Sequence, residues 1–209
     1  MLNNCIANIF TTPTYYRDKI NPPTKDKLKM LSLFGELIKK PAVIDNSQNI
    51  FYGVEGDITS FKREELKWLN KQVTINSKIY LNDLGIDTRL TKLNIEKAKP
   101  SICYNKGGKL NYNKNTNSHI TALYCFQSDF DNDSGKIVFY RDNKLIRNVS
   151  YDLEDYNAKH LSGIAVKSSI SFFSGRLIII PSNIDYEILP YYGKKHRFFI
   201  TYGLSLPLQ

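Results

Sequence analysis

"SGRLIIIPSNIDYEILPYYGKKHRFFITYGL", residues 174–204, decides the fold. It opens on a Gly turn and enters a branched apolar block, Leu177 to Ile180, that stops at a Pro-Ser corner. A second short run ends at Pro190, a Gly-containing turn follows, and a third run begins at Arg197. β-branched and aromatic runs bounded by Gly, Pro, Asn and Ser read as strands joined by turns. The same texture reaches back to about residue 90, through "KLNIEKAKPSICYN", "HITALYCFQ", "KIVFYRD", "KLIRNVSY" and "GIAVKSSISFF". Turn residues at 107–108, 131–135, 141–144, 174–175 and 191–195 separate them. Short strands at this spacing imply a sandwich or barrel.

The first 90 residues read differently. "IANIFTTPTYY" is one strand interrupted at Pro13. Pro22 and Pro23 then open a helix whose apolar face is Leu28, Leu31, Phe34, Leu37 and Ile38; Pro41 stops it. A loop rich in Asn, Asp, Ser and Gly runs to about residue 58. A second helix follows over 59–73, capped by Thr59 or Ser60 and using Phe61, Leu66, Trp68, Leu69 and Val73. "SKIYLNDLGI" extends it as a short further helix ending at Gly85. The expected architecture is a single domain over 1–209, mainly β with some α. Residues 1–90 form a strand and helical support, and 91–209 a β core.

Bulk properties set outer limits. With 209 residues the chain can bury a sizeable core. No apolar run is long enough to span a bilayer, and no secretory signal is read at the N-terminus. Cys5, Cys103 and Cys125 form neither a zinc spacing nor a disulfide framework, so a reducing, cytoplasmic setting is expected. The net charge of +9 is scattered over the chain and comes with no nucleic-acid-binding motif, so nucleic acid is not an expected partner. A homodimer is compatible with the sequence and not required by it.

The strand series of 174–204, with "NKGGKLNYNKNTNSHITALYCF" and "DSGKIVFYRDN" upstream, resembles the iron(II)/2-oxoglutarate-dependent oxygenases. The likeness is to their bacterial, cyanobacterial and phage branch, whose opening strand "IANIFTTPTYYRDKI" also resembles. It is strongest from about residue 100 to 204. The resemblance implies a double-stranded β-helix, or jelly roll. It also implies two imidazoles and a carboxylate holding iron(II), and an Arg holding the distal carboxylate of 2-oxoglutarate.

On this sequence the paired-ligand positions fall on Asn113 and Asn115, and the later His position on Tyr186. Arg197, 197 − 186 = 11 residues further on, takes the 2-oxoglutarate position. The resemblance therefore implies a surviving carboxylate clamp beside a degenerate metal triad. Amide oxygens suit hard cations, and a phenol binds ferric iron only as phenolate. Phe199 stands where the family carries a Ser, and Thr201 is offered as a substitute hydroxyl from the same strand face. Tyr112 and Tyr124 are read as cavity-lining donors or as core.

His119 is the alternative metal ligand, as in halogenases where chloride replaces the carboxylate; a hydrogen-bonded structural or pocket-lining role is the plainer reading. His160 falls in a loop, and His196 points opposite to Arg197. "DFDNDSG", 129–135, lacks full calcium-loop spacing and reads as a turn. The expected function is an oxygenase-like protein with an altered or silent centre, binding 2-oxoglutarate or another small carboxylate at Arg197. Iron(II) binding is doubtful. The alternatives are an active hydroxylase with a non-standard metal site and a protein-interaction module on the same fold.

Overall fold

The computed structural model describes residues 4–9, 12–39, 43–45, 50–52, 62–113, 117–129, 134–140 and 167–207. The strands are β1 (Asn4–Ile9), β2 (Thr12–Arg17), β3 (Val43–Asp45), β4 (Ile50–Tyr52), β5 (Asn94–Cys103) and β6 (Gly108–Asn113). They continue with β7 (Ile120–Gln127), β8 (Ile137–Tyr140), β9 (Lys167–Ile170), β10 (Leu177–Pro181), β11 (Asp185–Tyr191) and β12 (Arg197–Ser205). The helices are α1 (Thr24–Lys39) and α2 (Lys67–Asp83).

Two antiparallel sheets result, ordered β1-β2-β10-β7-β12-β5-β4-β3 and β6-β11-β8-β9. From β5 onward the chain passes back and forth between them, which is the winding of a double-stranded β-helix. The expected jelly-roll core is therefore present. β7 and β12 are buried on both faces, so they read as unbroken apolar runs rather than as alternation. Phe198, Ile200, Tyr202 and Leu204 pack toward the helices, whereas Phe199 joins Leu123, Cys125, Ile178 and Ile180 between the sheets. One strand thus divides the two cores.

α1 seats on the large sheet through Met30, Leu33, Phe34 and Leu37, and Phe34 stacks on Phe126 and Phe198 at 5.6 and 4.7 Å. Leu28 and Ile38, assigned to this face from sequence, are 62% and 50% exposed. They lie about 160° and 80° around the helix from Met30. α2 is one continuous helix preceded by a short 3-10 turn, Glu64–Leu66, rather than two helices. Its buried Asn76 accepts from the Tyr15 hydroxyl at 2.7 Å and donates to the Gln72 carbonyl, so the polar residues that interrupted its pattern are held inside. It ends as expected at Gly85, whose φ of 82° suits the left-handed C-terminal position. The expected caps Thr59 and Ser60, the run 144–151 and His160 lie outside the described residues.

The N-terminal strand is a hairpin instead. β1 pairs with β2 from Asn4↔Arg17 to Ile9↔Thr12. Phe10 and Thr11 lie outside the described residues; with Thr12 they are β-formers, so the sequence carries no turn signal between the two strands. Pro13 is tolerated because β10 pairs only with Tyr15, Tyr16 and Arg17 of β2. β3 and β4 pair with each other and extend the sheet beyond β5, in a stretch expected to be loop. Strands of three residues are too short to carry a period. Among the described residues no helix is long and apolar enough to cross a membrane.

Burial pushes the Cys103 and Cys125 thiols from 9.0 up to about 12, and raises Tyr15, Tyr80, Tyr124 and Tyr202. Below 9.0 the thiols are protonated in both states and contribute no pH dependence. Between 9.0 and about 12 the unfolded thiols ionise while the folded ones stay protonated, so stability falls as pH rises. Thermal unfolding is expected to be flat in this respect up to pH 9.0 and to lose midpoint steadily above it. A midpoint unchanged at about pH 11 would contradict this.

Candidate functional site

Arg197 opens β12, with Cys103 of β5 as its Cα partner. The two-residue period of the strand turns its side chain to the same face as Phe199, into the space between the sheets. The side chain is fully buried (0% exposed). Its Nη1 donates to the Gly135 carbonyl at 2.6 Å. Nε and Nη2 reach the Ser128 hydroxyl at 3.4 Å, and Nη2 reaches the Ser134 carbonyl at 3.4 Å. The Tyr191 ring covers the guanidinium at 4.1 Å, and Phe172 stands at 5.4 Å. Among the described residues no carboxylate pairs with it. A buried cation held only by neutral acceptors and ring faces is costly unless an anion joins it.

Neighbouring loops fix this arrangement. Ser128 donates its amide to the Ser174 hydroxyl at 2.7 Å, and that hydroxyl donates back to the Ser128 carbonyl at 2.8 Å. The turn at Ser134 and Gly135 is sewn to β11 by Gly135 N–H to the Pro190 carbonyl and Tyr192 N–H to the Ser134 hydroxyl. Asp129 accepts from the Lys194 and Lys195 amides, tying down the turn that follows Tyr191. The Asp129 carboxylate, in the stretch read as a turn, is thus spent on backbone amides.

Gly135 has a φ of 67°, and a Cβ there would collide with Nη1 and come within 2.9 Å of Cζ and Nη2. Gly135→Ala is expected to cost roughly 2–5 kcal/mol, from left-handed strain plus displacement of a buried guanidinium. Gly107→Ala is the control: its φ is 85°, but the nearest atoms belong to the exposed Tyr192 side chain at 3.3 Å. Equal losses in chemical denaturation would remove Arg197 from the explanation.

The presumed metal positions meet in part. Tyr186 of β11 and Asn113 of β6 are Cα partners, so strand pairing brings them together. Tyr112 lies beside Asn113 on β6, and Asn115 lies outside the described residues. Tyr186 is 1% exposed and belongs to the inter-sheet cluster with Leu110, Phe139 and Ile188. Amide and phenol donors do not fit iron(II), which takes imidazole and carboxylate in sites of this kind. Among the described residues no group of three or more His, Cys, Asp or Glu is placed to hold a metal.

Three expected site residues sit elsewhere. Tyr124 is corrected to the opposite, helix-facing core, where its hydroxyl donates to the Ile20 carbonyl at 2.7 Å; alternation along β7 puts it on that face. Thr201 shares Arg197's strand face but lies four residues along, about 13 Å away. The hydroxyl at the guanidinium is Ser128's. His119 is exposed, accepts the Leu206 amide at Nδ1 at 3.1 Å, and stands at the far end of β7 from Ser128. It joins neither Arg197 nor Tyr186. Ser128, Gly135 and Tyr191 were not found from sequence. "DSG" marks only a turn, and nothing local announces which cation the turn will cover.

The winding of the two sheets defines a double-stranded β-helix, the fold of the solved 2-oxoglutarate/iron(II) oxygenases to which the chain is similar. A Pseudomonas putida prolyl-4-hydroxylase is similar over 95% of this chain and 95% of its own, with a TM-score of 0.53 and 11% identity. A Trichoplax adhaerens prolyl hydroxylase, in complex with a hypoxia inducible factor peptide fragment, covers 98% and 84%, with a TM-score of 0.56 and 14% identity. HygX from Streptomyces hygroscopicus, with nickel and 2-oxoglutarate bound, covers 93% and 83%, with a TM-score of 0.54 and 12% identity. No protein-family model matches the chain, and no curated protein matches its sequence. At these identities the likeness establishes the fold, and chemistry has to be argued from the residues.

Proposed function

We propose that this chain is a non-catalytic protein on the oxygenase fold that binds a small carboxylate at Arg197. The observation that carries the reading is the guanidinium itself: fully buried between the sheets, with no carboxylate partner among the described residues. Three of its four hydrogen bonds are 3.4 Å long, beyond the usual range for N–H to oxygen. Of the five guanidinium N–H groups, one on Nη1 has no acceptor among the described residues. An incoming carboxylate exchanges these long contacts for short, charge-assisted ones.

Asn113, Asn115 and Tyr186 at the presumed metal positions support the absence of iron chemistry. 2-Oxoglutarate is thus a compatible anion rather than an oxidised co-substrate. The test is calorimetric titration of the purified chain with simple carboxylates, alongside an assay for 2-oxoglutarate consumption with added iron(II) in air. Carboxylate binding without consumption is expected. Consumption at an enzymatic rate would overturn the reading.

A further inference from the structure

We infer that His196 is an acid-sensitive latch on the turn next to Arg197: as a neutral imidazole it holds residues 104–107 in place, and on protonation it releases them. That turn joins β5 to β6, and three hydrogen bonds tie it to residues 191–196. The Asn105 amide donates to Nδ1 of His196 at 3.3 Å, and the Asn105 side-chain nitrogen donates to the Lys194 carbonyl at 3.1 Å. The Gly107 amide donates to the Tyr191 carbonyl at 2.9 Å. The Tyr104 ring meets the imidazole edge-on, with centroids 4.8 Å apart. Of the three acceptors only Nδ1 changes with pH near neutrality. An accepting Nδ1 requires the neutral ring, with its proton on Nε2. In the imidazolium both nitrogens carry protons, so Nδ1–H faces the Asn105 N–H, donor against donor.

The surroundings favour the neutral ring. His196 is half-buried, and burial holds it below its ordinary value of 6.5. Lys194 and Lys195 precede it and Arg197 follows it; Tyr104 and Lys106 belong to the facing turn, and Cys103 ends β5. The acid at this end, Asp129, accepts the Lys194 and Lys195 amides. A further positive charge among these cations is opposed. Because the folded value lies below the unfolded one, the contribution of the latch is complete above 6.5 and is lost as pH falls through the folded value. The release reaches Arg197 through Tyr191, whose carbonyl takes the Gly107 amide and whose ring covers the guanidinium at 4.1 Å. Acid therefore loosens the cover of a cation that is fully buried when the latch is shut.

The experiment is amide hydrogen exchange of the whole chain at about pH 7.5 and about pH 5.0, corrected for the intrinsic pH dependence of exchange, beside an NMR titration of the imidazole. Protection of the Asn105 and Gly107 amides is expected to fall at least about fivefold at the lower pH. The Asn105 amide resonance is expected to follow the His196 titration, with a midpoint below 6.5. His196→Asn, which offers an oxygen in place of Nδ1 and does not titrate, is expected to keep its protection at both pH values. His196→Phe is expected to lack it at both. Equal pH dependence in wild type and His196→Asn would overturn the inference. An Asn105 resonance that does not follow the imidazole would overturn it whichever way the variants behave. Loss at Asn105 with Gly107 unmoved would also overturn it, because the turn would not be released as a unit.

Discussion

Tyr186→Ala is expected to destabilise the chain by about 3–5 kcal/mol, the range for removing a fully buried aromatic ring. The ring is 1% exposed and packs in the inter-sheet cluster, where a ligating imidazole would need open space toward a metal. Its strand neighbours are fixed from both sides, by Asn113 on β6 and Phe139 on β8, so collapse around the vacancy is limited. Tyr186→Phe keeps the ring and is expected to cost far less, which separates packing from the hydroxyl. Tyr186→His is expected to lose stability without gaining iron(II), because its companions remain amides. Urea denaturation reads all three. A loss below about 1 kcal/mol for Tyr186→Ala would mean that the ring lines open space, and the account of a filled centre would fail.

Arg197→Met is expected to abolish carboxylate binding, by about a hundredfold or more, while changing stability by no more than roughly 1 kcal/mol. The two effects have separate origins. Binding loses the one buried cation among the described residues. Stability loses the hydrogen bonds to Ser128, Ser134 and Gly135 and the contact with the Tyr191 ring, but is relieved of an unpaired charge between two sheets. Methionine retains most of the stem that fills the space. A large destabilisation with unchanged binding would make Arg197 a structural strut.

Among the described residues the β core was legible from residue 90 onward where a run is β-branched or aromatic and is bounded by turn residues. β7, β10, β11 and β12 all lie where the sequence puts them. β6 was not, since "GKLNYN" has a polar texture and only Leu110 is an aliphatic residue in it. The pairing of Asn113 with Tyr186 followed from the family likeness, whereas composition and periodicity are silent on it. Tyr124 misled because a strand buried on both faces gives no alternation to tell helix side from sheet side. Thr201 misled because sharing a face is not sharing a place: four residues separate it from the guanidinium. Ser128 comes to Arg197 across 69 residues of chain, a contact that only the closed fold specifies.

Anaerobic titration of the purified chain with iron(II) in the presence of 2-oxoglutarate, followed by metal analysis after desalting, tests the central claim most directly. Amide and phenol positions in place of imidazole and carboxylate predict no retained iron and no saturable, stoichiometric step. One iron retained per chain, lost on substitution of Asn113 or Tyr186, would contradict it.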